Sequence, residues 1–315
     1  MTTTLGIVAD PISTLNIKKD STIAMIQEAW NIGWSVKVFT DKSIYALGDK
    51  AFAHSHTIAP DNTGISWYSI SDTNPSDHLG EMDCILMRKD PPFDVNYIYT
   101  TYMLDLAQGK GAYISNNPAS LRDCNEKFFI TQFSDWTPPT LVASNKDIIR
   151  TFVQDIGKAV IKPLHGMGGE LIFTTFATDE NFSVIYEAVS LNGTRPVMVQ
   201  KYIPEISEGD RRIICINGVP CEYALARIPA DNELRGNLAA GATGQAQPLT
   251  SRERQLCDAI GPELQKRGLD FVGLDIIGGF LTEVNVTSPT GIREIFDQTN
   301  TAVATNYLNF LESKI

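Results

Sequence analysis

Apolar residues in the first third of the chain fall into short runs separated by helical spacings. Residues 5–9 form an apolar run ended by Asp10-Pro11, which predicts a buried strand. Ser21 stands before Ile23, Ile26, Ala29 and Trp30, one face of a helix that Ser21 can cap and that stops near Gly33. Residues 35–39 alternate as a strand and residues 84–87 form another buried run. Helical spacing over 97–107 is followed by a strand over 111–114. This βαβ rhythm implies a mostly parallel sheet that binds ligands at its strand ends. The polar stretch 49–78 reads as an edge hairpin or insertion.

The pattern then changes. A helix over 121–133 leads to the turn Thr137-Pro138-Pro139. A helix over 147–156, a strand over 158–162, a loop over 163–170, a strand over 171–175, a helix over 180–191 and a strand over 196–200 follow. Together they predict a small α+β unit with a glycine loop inside a hairpin. Longer strands are expected over 211–216, 221–227, 270–277 and 281–286, with a helix over 253–267 between the pairs and a last one over 302–312. The Gly/Ala/Asn/Arg-rich segment 228–247 reads as an active-site lid, because loops of that length are uncommon unless functional.

Size and charge narrow the function. The 315 residues suffice for roughly two average domains, and a 43% hydrophobic fraction supplies a core. The net charge of −11 argues against a nucleic-acid partner. It also requires any phosphate site to be made locally positive. The first residues lack a basic region and read as a strand rather than a signal peptide. No apolar run approaches the ~18 residues of a spanning helix, so no membrane is expected. Cys84, Cys124, Cys215, Cys221 and Cys257 are scattered without a CxxC pair, which fits reduced thiols and a cytoplasmic location. His54 and His56 share a strand face, but without further ligands nearby they read as an exposed pair.

Four groups of residues carry candidate chemistry. In KPLHGMGG, the glycines Gly166, Gly168 and Gly169 flank Met167 and let backbone N–H groups approach an anion, while Lys162 adds a charge. The motif is neither a Walker A loop nor a G-x-G-x-x-G fingerprint, and alone it is equally a tight turn. In TEVNVTSP, Glu283 and Asn285 point to one strand face, with Asp275 on the neighbouring strand. These oxygens suit Mg²⁺, and a buried carboxylate without a partner would be costly. Arg211, Arg212, Arg227, Arg235 and Arg293 suit oxyanion recognition, although ordinary surface charge accounts for some of them. Gln200, Lys201, Tyr202 and Ile203, at a strand exit, suit an adenine edge or an interdomain hinge.

The order of these motifs, from Lys127 in NEK through KPLHGMGG, QKYIP, GDRR, GLDII and TEVNVTSP, resembles the ATP-grasp superfamily. DPISTLNIKKDST, ILMRKDPPFD, SLRDCNEKFF and ARIPADNELRGNLAAG are similar to segments of the bacterial glutathione synthetase family, with blocks across residues 10–295. The resemblance implies an α/β N-terminal domain (1–122), then an ATP-grasp fold of two α+β subdomains (123–202 and 203–315). It implies that γ-glutamylcysteine and glycine become glutathione while ATP becomes ADP and phosphate. By the same resemblance Lys127, Lys162, residues 166–169, residues 200–203 and Asp210 hold ATP. Asp275, Glu283 and Asn285 hold Mg²⁺ or Mn²⁺. Arg212 and Arg235 serve catalysis, and Arg88, Arg227, Asn237 and Ser288 bind substrate. A homotetramer is also implied. Glu170 departs from the expected small residue, so it must point away from phosphate or the loop must sit differently. Another ATP-grasp carboxylate–amine ligase, such as a D-alanine–D-alanine or glutamate ligase, shares the metal and phosphate residues. A non-catalytic ATP-binding protein on this fold should lack the metal ligands.

Overall fold

In the computed structural model, which describes residues 2–315 except 167, 231–235 and 237–240, the apolar runs of the first third lie side by side. β1 (Thr4–Val8) runs parallel between β2 (Ser35–Phe39) and β6 (Cys84–Met87), and this central position explains its continuous apolar character. Helix α1 (Ser21–Asn31) crosses from β1 to β2. Its cap is Asp20 rather than Ser21: the carboxylate accepts the Thr22 and Ile23 N–H groups at 2.7 and 3.1 Å, and a charged acceptor outcompetes a hydroxyl. The polar stretch forms β4 (Lys50–Pro60) and β5 (Tyr68–His78), antiparallel to each other and joined to the sheet edge with β3 (Ile44–Leu47). Helix α2 (Val95–Gln108) leads to β7 (Tyr113–Ser115), parallel to β6.

The helix expected over 121–133 is broken. α3 (Pro118–Asp123) ends early, and Phe128–Trp136 is a 3₁₀ segment. The Asn125 side-chain oxygen accepts the Lys127 and Phe128 N–H groups at 3.2 and 2.9 Å, diverting them from helical partners.

A second, antiparallel sheet follows: β8 (Thr140–Ala143), β9 (Ala159–Pro163), β10 (Phe173–Thr175) and β11 (Val197–Lys201), in the order β10-β9-β11-β8. With α4 (Lys146–Ile156) and α5 (Phe182–Ser190) it closes its own core around Ile149, Val153, Ile161, Phe182 and Val199. β10 starts later than the 171 expected, because Gly168, Gly169 and Leu171 take φ of 68, 80 and 54° to complete the turn.

The third sheet is antiparallel in the order β14-β13-β12-β15-β16. It comprises β12 (Asp210–Ile216), β13 (Val219–Ile228), β14 (Thr243–Pro248), β15 (Phe271–Ile277) and β16 (Phe280–Asn285). Strand β14 overlaps the end of the segment expected to be a lid. TGQAQP has no apolar alternation; backbone pairing to β13 and the Gln298 side-chain oxygen, 2.9 Å from the Ala246 N–H, hold it. Helices α6 (Ser251–Lys266), α7 (Ile292–Thr299) and α8 (Val303–Glu312) complete the chain, and α7 was not anticipated by the sequence pattern. The first and third sheets share cores: Leu104 and Ile114 join Leu256, Val272 and Val284, while Ile7 and Ile26 join Ile295 and Leu308. Asn116 stitches them by bonding both backbone groups of Phe271 and the Val286 carbonyl at 2.7–2.9 Å. Among the described residues no helix is long and apolar enough to cross a membrane.

Candidate active site

The second and third sheets face each other across a cleft of about 340 Å³, a size that suits a small ligand. Lining it are Lys127, Lys162, Gly166, Gly168, Gly169, Gln200, Lys201, Tyr202, Ile203, Asp210, Arg212, Arg227, Asp275, Glu283, Asn285 and Ser288. Met167, Arg235 and Asn237 lie outside the described residues. Arg88 is buried behind the wall. It donates to the Thr22 hydroxyl at 3.2 Å and the Pro289 carbonyl at 3.1 Å, and its Nη1 has no acceptor among the described residues.

The cations come from two sides. Lys162, on β9, reaches the Thr282 carbonyl of β16 at 3.2 Å. Burial pushes its ammonium down to about 8, with the Glu283 carboxylate opposing. Lys127 lies 3.0 Å from Glu283 Oε1 and donates to the Gly166 carbonyl at 3.0 Å. Burial alone would lower its pKa, but the carboxylates around it, Glu283 foremost with Glu126 and Asp275, together outweigh burial and the net direction is up.

Strand register builds the acidic side. Pairing of β12 with β15 sets Arg212 opposite Asp275, and pairing of β12 with β13 sets Asp210 opposite Arg227. Arg212 grips Asp275 through Nε and Nη2, both at 2.8 Å. Arg227 Nη2 lies 2.9 Å from Asp275 Oδ2 and 2.5 Å from Asp210 Oδ2. Burial would raise the Asp275 pKa, yet the two guanidinium groups hold it well below the carboxylate range. Asp210 is pushed up to about 6 by burial against the pull of Arg227, and its Oδ1 has no partner among the described residues. Across β15 and β16 Asp275 faces Glu283, and Asn285 Nδ2 donates to Asp275 Oδ2 at 3.1 Å.

The burial of Asp275 therefore does not by itself demand a cation, because the arginines compensate it. Among the described residues no three His, Cys, Asp or Glu side chains are gathered as a cation site. The donor chemistry nonetheless fits a hard divalent ion: the Glu283 carboxylate, the Asn285 amide and the orphaned Asp210 oxygen all line the cleft.

The other end is apolar, walled by Val160, Ile172, Ile203, Ile206 and Ile277. Gln200 donates to the Thr140 hydroxyl at 3.1 Å, and the Lys158 ammonium sits 3.7 Å from the Tyr202 ring centroid. The N–H groups of Lys201 and Tyr202 are engaged by the Pro139 and Lys158 carbonyls at 3.0 and 2.9 Å. Glu170 is exposed at the cleft mouth. Two of the arginines point elsewhere: Arg211 pairs with Glu253, and Arg293 bonds the Asp20 carbonyl and Gln27. Sequence reasoning missed Asp90, Glu126 and Thr287 on the cleft wall. Each lay next to or within a quoted motif: Glu126 beside Lys127, Thr287 in TEVNVTSP and Asp90 in ILMRKDPPFD.

The prokaryotic glutathione synthetase N-terminal domain model matches residues 3–122, and the ATP-grasp domain model of the same family matches residues 126–300. A glutathione synthetase of Pseudomonas aeruginosa is 46% identical over 315 residues, covering 100% of this chain and 99% of that protein. That of Escherichia coli K12 is 45% identical over 311 residues, covering 99% and 98%. Among solved structures, the D-cycloserine synthetase DcsG superposes with a TM-score of 0.65 at 12% identity, covering 98% of this chain and 99% of that one. The ATP-grasp ligase PsnB complexed with minimal precursor, Mg and ADP gives 0.64 at 13% identity, covering 99% and 97%. At those identities the likeness is one of fold alone. The two domain models and the full-length relatives agree, and the chain belongs to the prokaryotic glutathione synthetase family.

Proposed function

We propose that this enzyme joins γ-glutamylcysteine to glycine, with ATP converted to ADP and phosphate and glutathione as product. The observation that carries the reading is the convergence of Lys127, Lys162, Arg212, Arg227, Asp275 and Glu283 on one cleft, in a chain 46% identical to a glutathione synthetase over its full length. A carboxylate is a poor electrophile. An oxygen of the cysteinyl carboxylate attacks the γ-phosphorus, the bond to the β-phosphate oxygen breaks, and ADP leaves. The glycine amine then attacks the acylphosphate carbonyl and phosphate departs.

Such chemistry needs positioning and charge neutralisation more than covalent help. Lys127 and Lys162 meet the phosphates, with residues 166–169 and Asp210 beside them. The apolar wall and residues 200–203 take the adenine, whose edge meets the Ile203 N–H, since those of Lys201 and Tyr202 are engaged. Glu283 and Asn285, with Asp275 behind them, would hold Mg²⁺ or, with the same hard-oxygen preference, Mn²⁺. That ion supplies charge compensation to the transferring phosphoryl group. Arg212 and Arg235 steady the developing charge, and Arg227, Asn237 and Ser288 bind the acid substrate, with Arg88 behind the wall offering only its Nη1, unpartnered among the described residues. Domain boundaries fall at 122 and 202. Five buried free cysteines support a cytoplasmic setting. The chain assembles as a homotetramer, and exposed Val95, Tyr99 and Tyr102 on α2 offer an apolar face for contact between copies.

A coupled assay of ADP release decides the reading. Purified protein with Mg-ATP releases ADP with γ-glutamylcysteine plus glycine and not with D-alanine. Turnover with D-alanine alone would assign the chain to a different ligase chemistry.

A further inference from the structure

Residues 125–127 bond both the glycine loop and β16 with the two residues after it, on two sides of the cleft. Asn125 Nδ2 donates to the Leu164 carbonyl at 3.2 Å, and Lys127 Nζ donates to the Gly166 carbonyl at 3.0 Å, so both hold the glycine loop. Glu126, between them, turns to β16. Its backbone carbonyl accepts the Val284 N–H at 2.9 Å. Its side-chain Oε1 accepts the Val286 N–H at 2.9 Å, the Thr287 N–H at 3.0 Å and the Thr287 hydroxyl at 2.9 Å. These donors frame the end of the strand that carries Glu283 and Asn285. The same tripeptide carries Lys127, whose ammonium lies 3.0 Å from Glu283 Oε1. A half-buried carboxylate beside Glu283, a charge of the same sign, is costly to keep for cohesion alone. Three donors converging on one oxygen make it a stiff anchor.

We propose that Glu126 is a positioning residue for phosphoryl transfer. Its carboxylate fixes the separation between Lys127 and the Glu283/Asn285 pair, so that cationic and ion-binding contacts to the triphosphate close on one geometry. The proposal rests on the ligase reading above. Displacing such contacts by about 1 Å costs on the order of 10²-fold in rate.

Three variants separate reach from charge. Glu126→Gln keeps an oxygen at the same reach and removes the charge. Glu126→Asp keeps the charge and withdraws the oxygen by one methylene, and Glu126→Ala removes both. Each is compared with wild type for folded fraction, kcat, and Mg·ADP affinity by titration calorimetry without acid or amine substrate. The glutamine variant is expected within about tenfold of wild-type kcat, the aspartate and alanine variants about 100-fold down, and Mg·ADP affinity in the same order. An aspartate variant equal to or better than the glutamine variant overturns the proposal, since the reach of the oxygen would then not set the rate. So do wild-type kcat and affinity in all three, or losses that only track folded fraction. If the alanine variant does not fold, the glutamine–aspartate comparison decides. If wild type binds Mg·ADP but does not join γ-glutamylcysteine to glycine, the ligase reading fails, while the order of affinities still decides the role of Glu126.

Discussion

Lys162 should take up a proton when nucleotide binds. In the free cleft burial holds its amine at about 8 against the ordinary 10.5 of a lysine, which is roughly 3 kcal/mol opposing the charged form. About nine in ten amines are then neutral at pH 9 and about one in ten at pH 7. A polyphosphate restores the charge, so binding draws about 0.9 proton from buffer at pH 9 and about 0.1 at pH 7. Affinity is full below pH 8 and declines by up to about tenfold per pH unit above it. The unliganded protein behaves oppositely. The unfolded chain holds this proton up to 10.5, so the stability penalty is complete below pH 8 and is relieved as pH rises from 8 towards 10.5. The assay is calorimetry of ADP binding in buffers of different ionisation enthalpy, on wild type and Lys162→Met. At pH 9 Asp210, at about 6, is fully ionised and adds nothing. Uptake that does not change with pH, or that persists in Lys162→Met, would refute the reasoning.

Other outcomes follow from the same contacts. Asp275→Ala strips two buried guanidinium groups of their shared acceptor, and the loss of about 3–5 kcal/mol should appear as a melting midpoint at least about 5 °C lower. An unchanged midpoint would show that Arg212 and Arg227 find other partners. Gly218→Ala should cost about 1–3 kcal/mol in denaturant titrations, because φ is 72° and a Cβ would stand 2.5 Å from the Gly261 carbonyl of α6. Chelation of divalent ions should abolish ADP release yet leave the melting curve nearly unmoved, because Glu283 and Asp275 already have Lys127, Arg212 and Arg227 as partners.

Much of this architecture was legible in the sequence where local pattern and tertiary demand agree. β1 is apolar from Leu5 onward because both neighbours are parallel strands, and its run shows that directly. β14 was not legible, because its backbone pairing to β13 leaves no hydrophobic trace in TGQAQP. The break after α3 depends on one amide side chain, Asn125, which a helical periodicity over 121–133 hides. In the cleft, Glu283 and Asn285 announce themselves by two-residue spacing on one strand. The bidentate grip of Arg212 on Asp275 is set by the pairing of strands about sixty residues apart, which no spacing reveals. Glu126 stayed hidden for the same reason, its partners lying 160 and 161 residues away.

At rest the cleft stores its charges as matched couples: Lys127 with Glu283, and Arg212 and Arg227 with Asp275. An incoming polyphosphate alone would claim the cations and strand the carboxylates beside its own negative oxygens. A divalent ion alone would claim the carboxylates and leave ammonium and guanidinium groups facing it. Only joint arrival lets every couple re-form with a new mate. Guest anion and guest cation are thereby admitted together, and an acidic protein can receive a highly charged visitor without keeping a positive pit open to solvent.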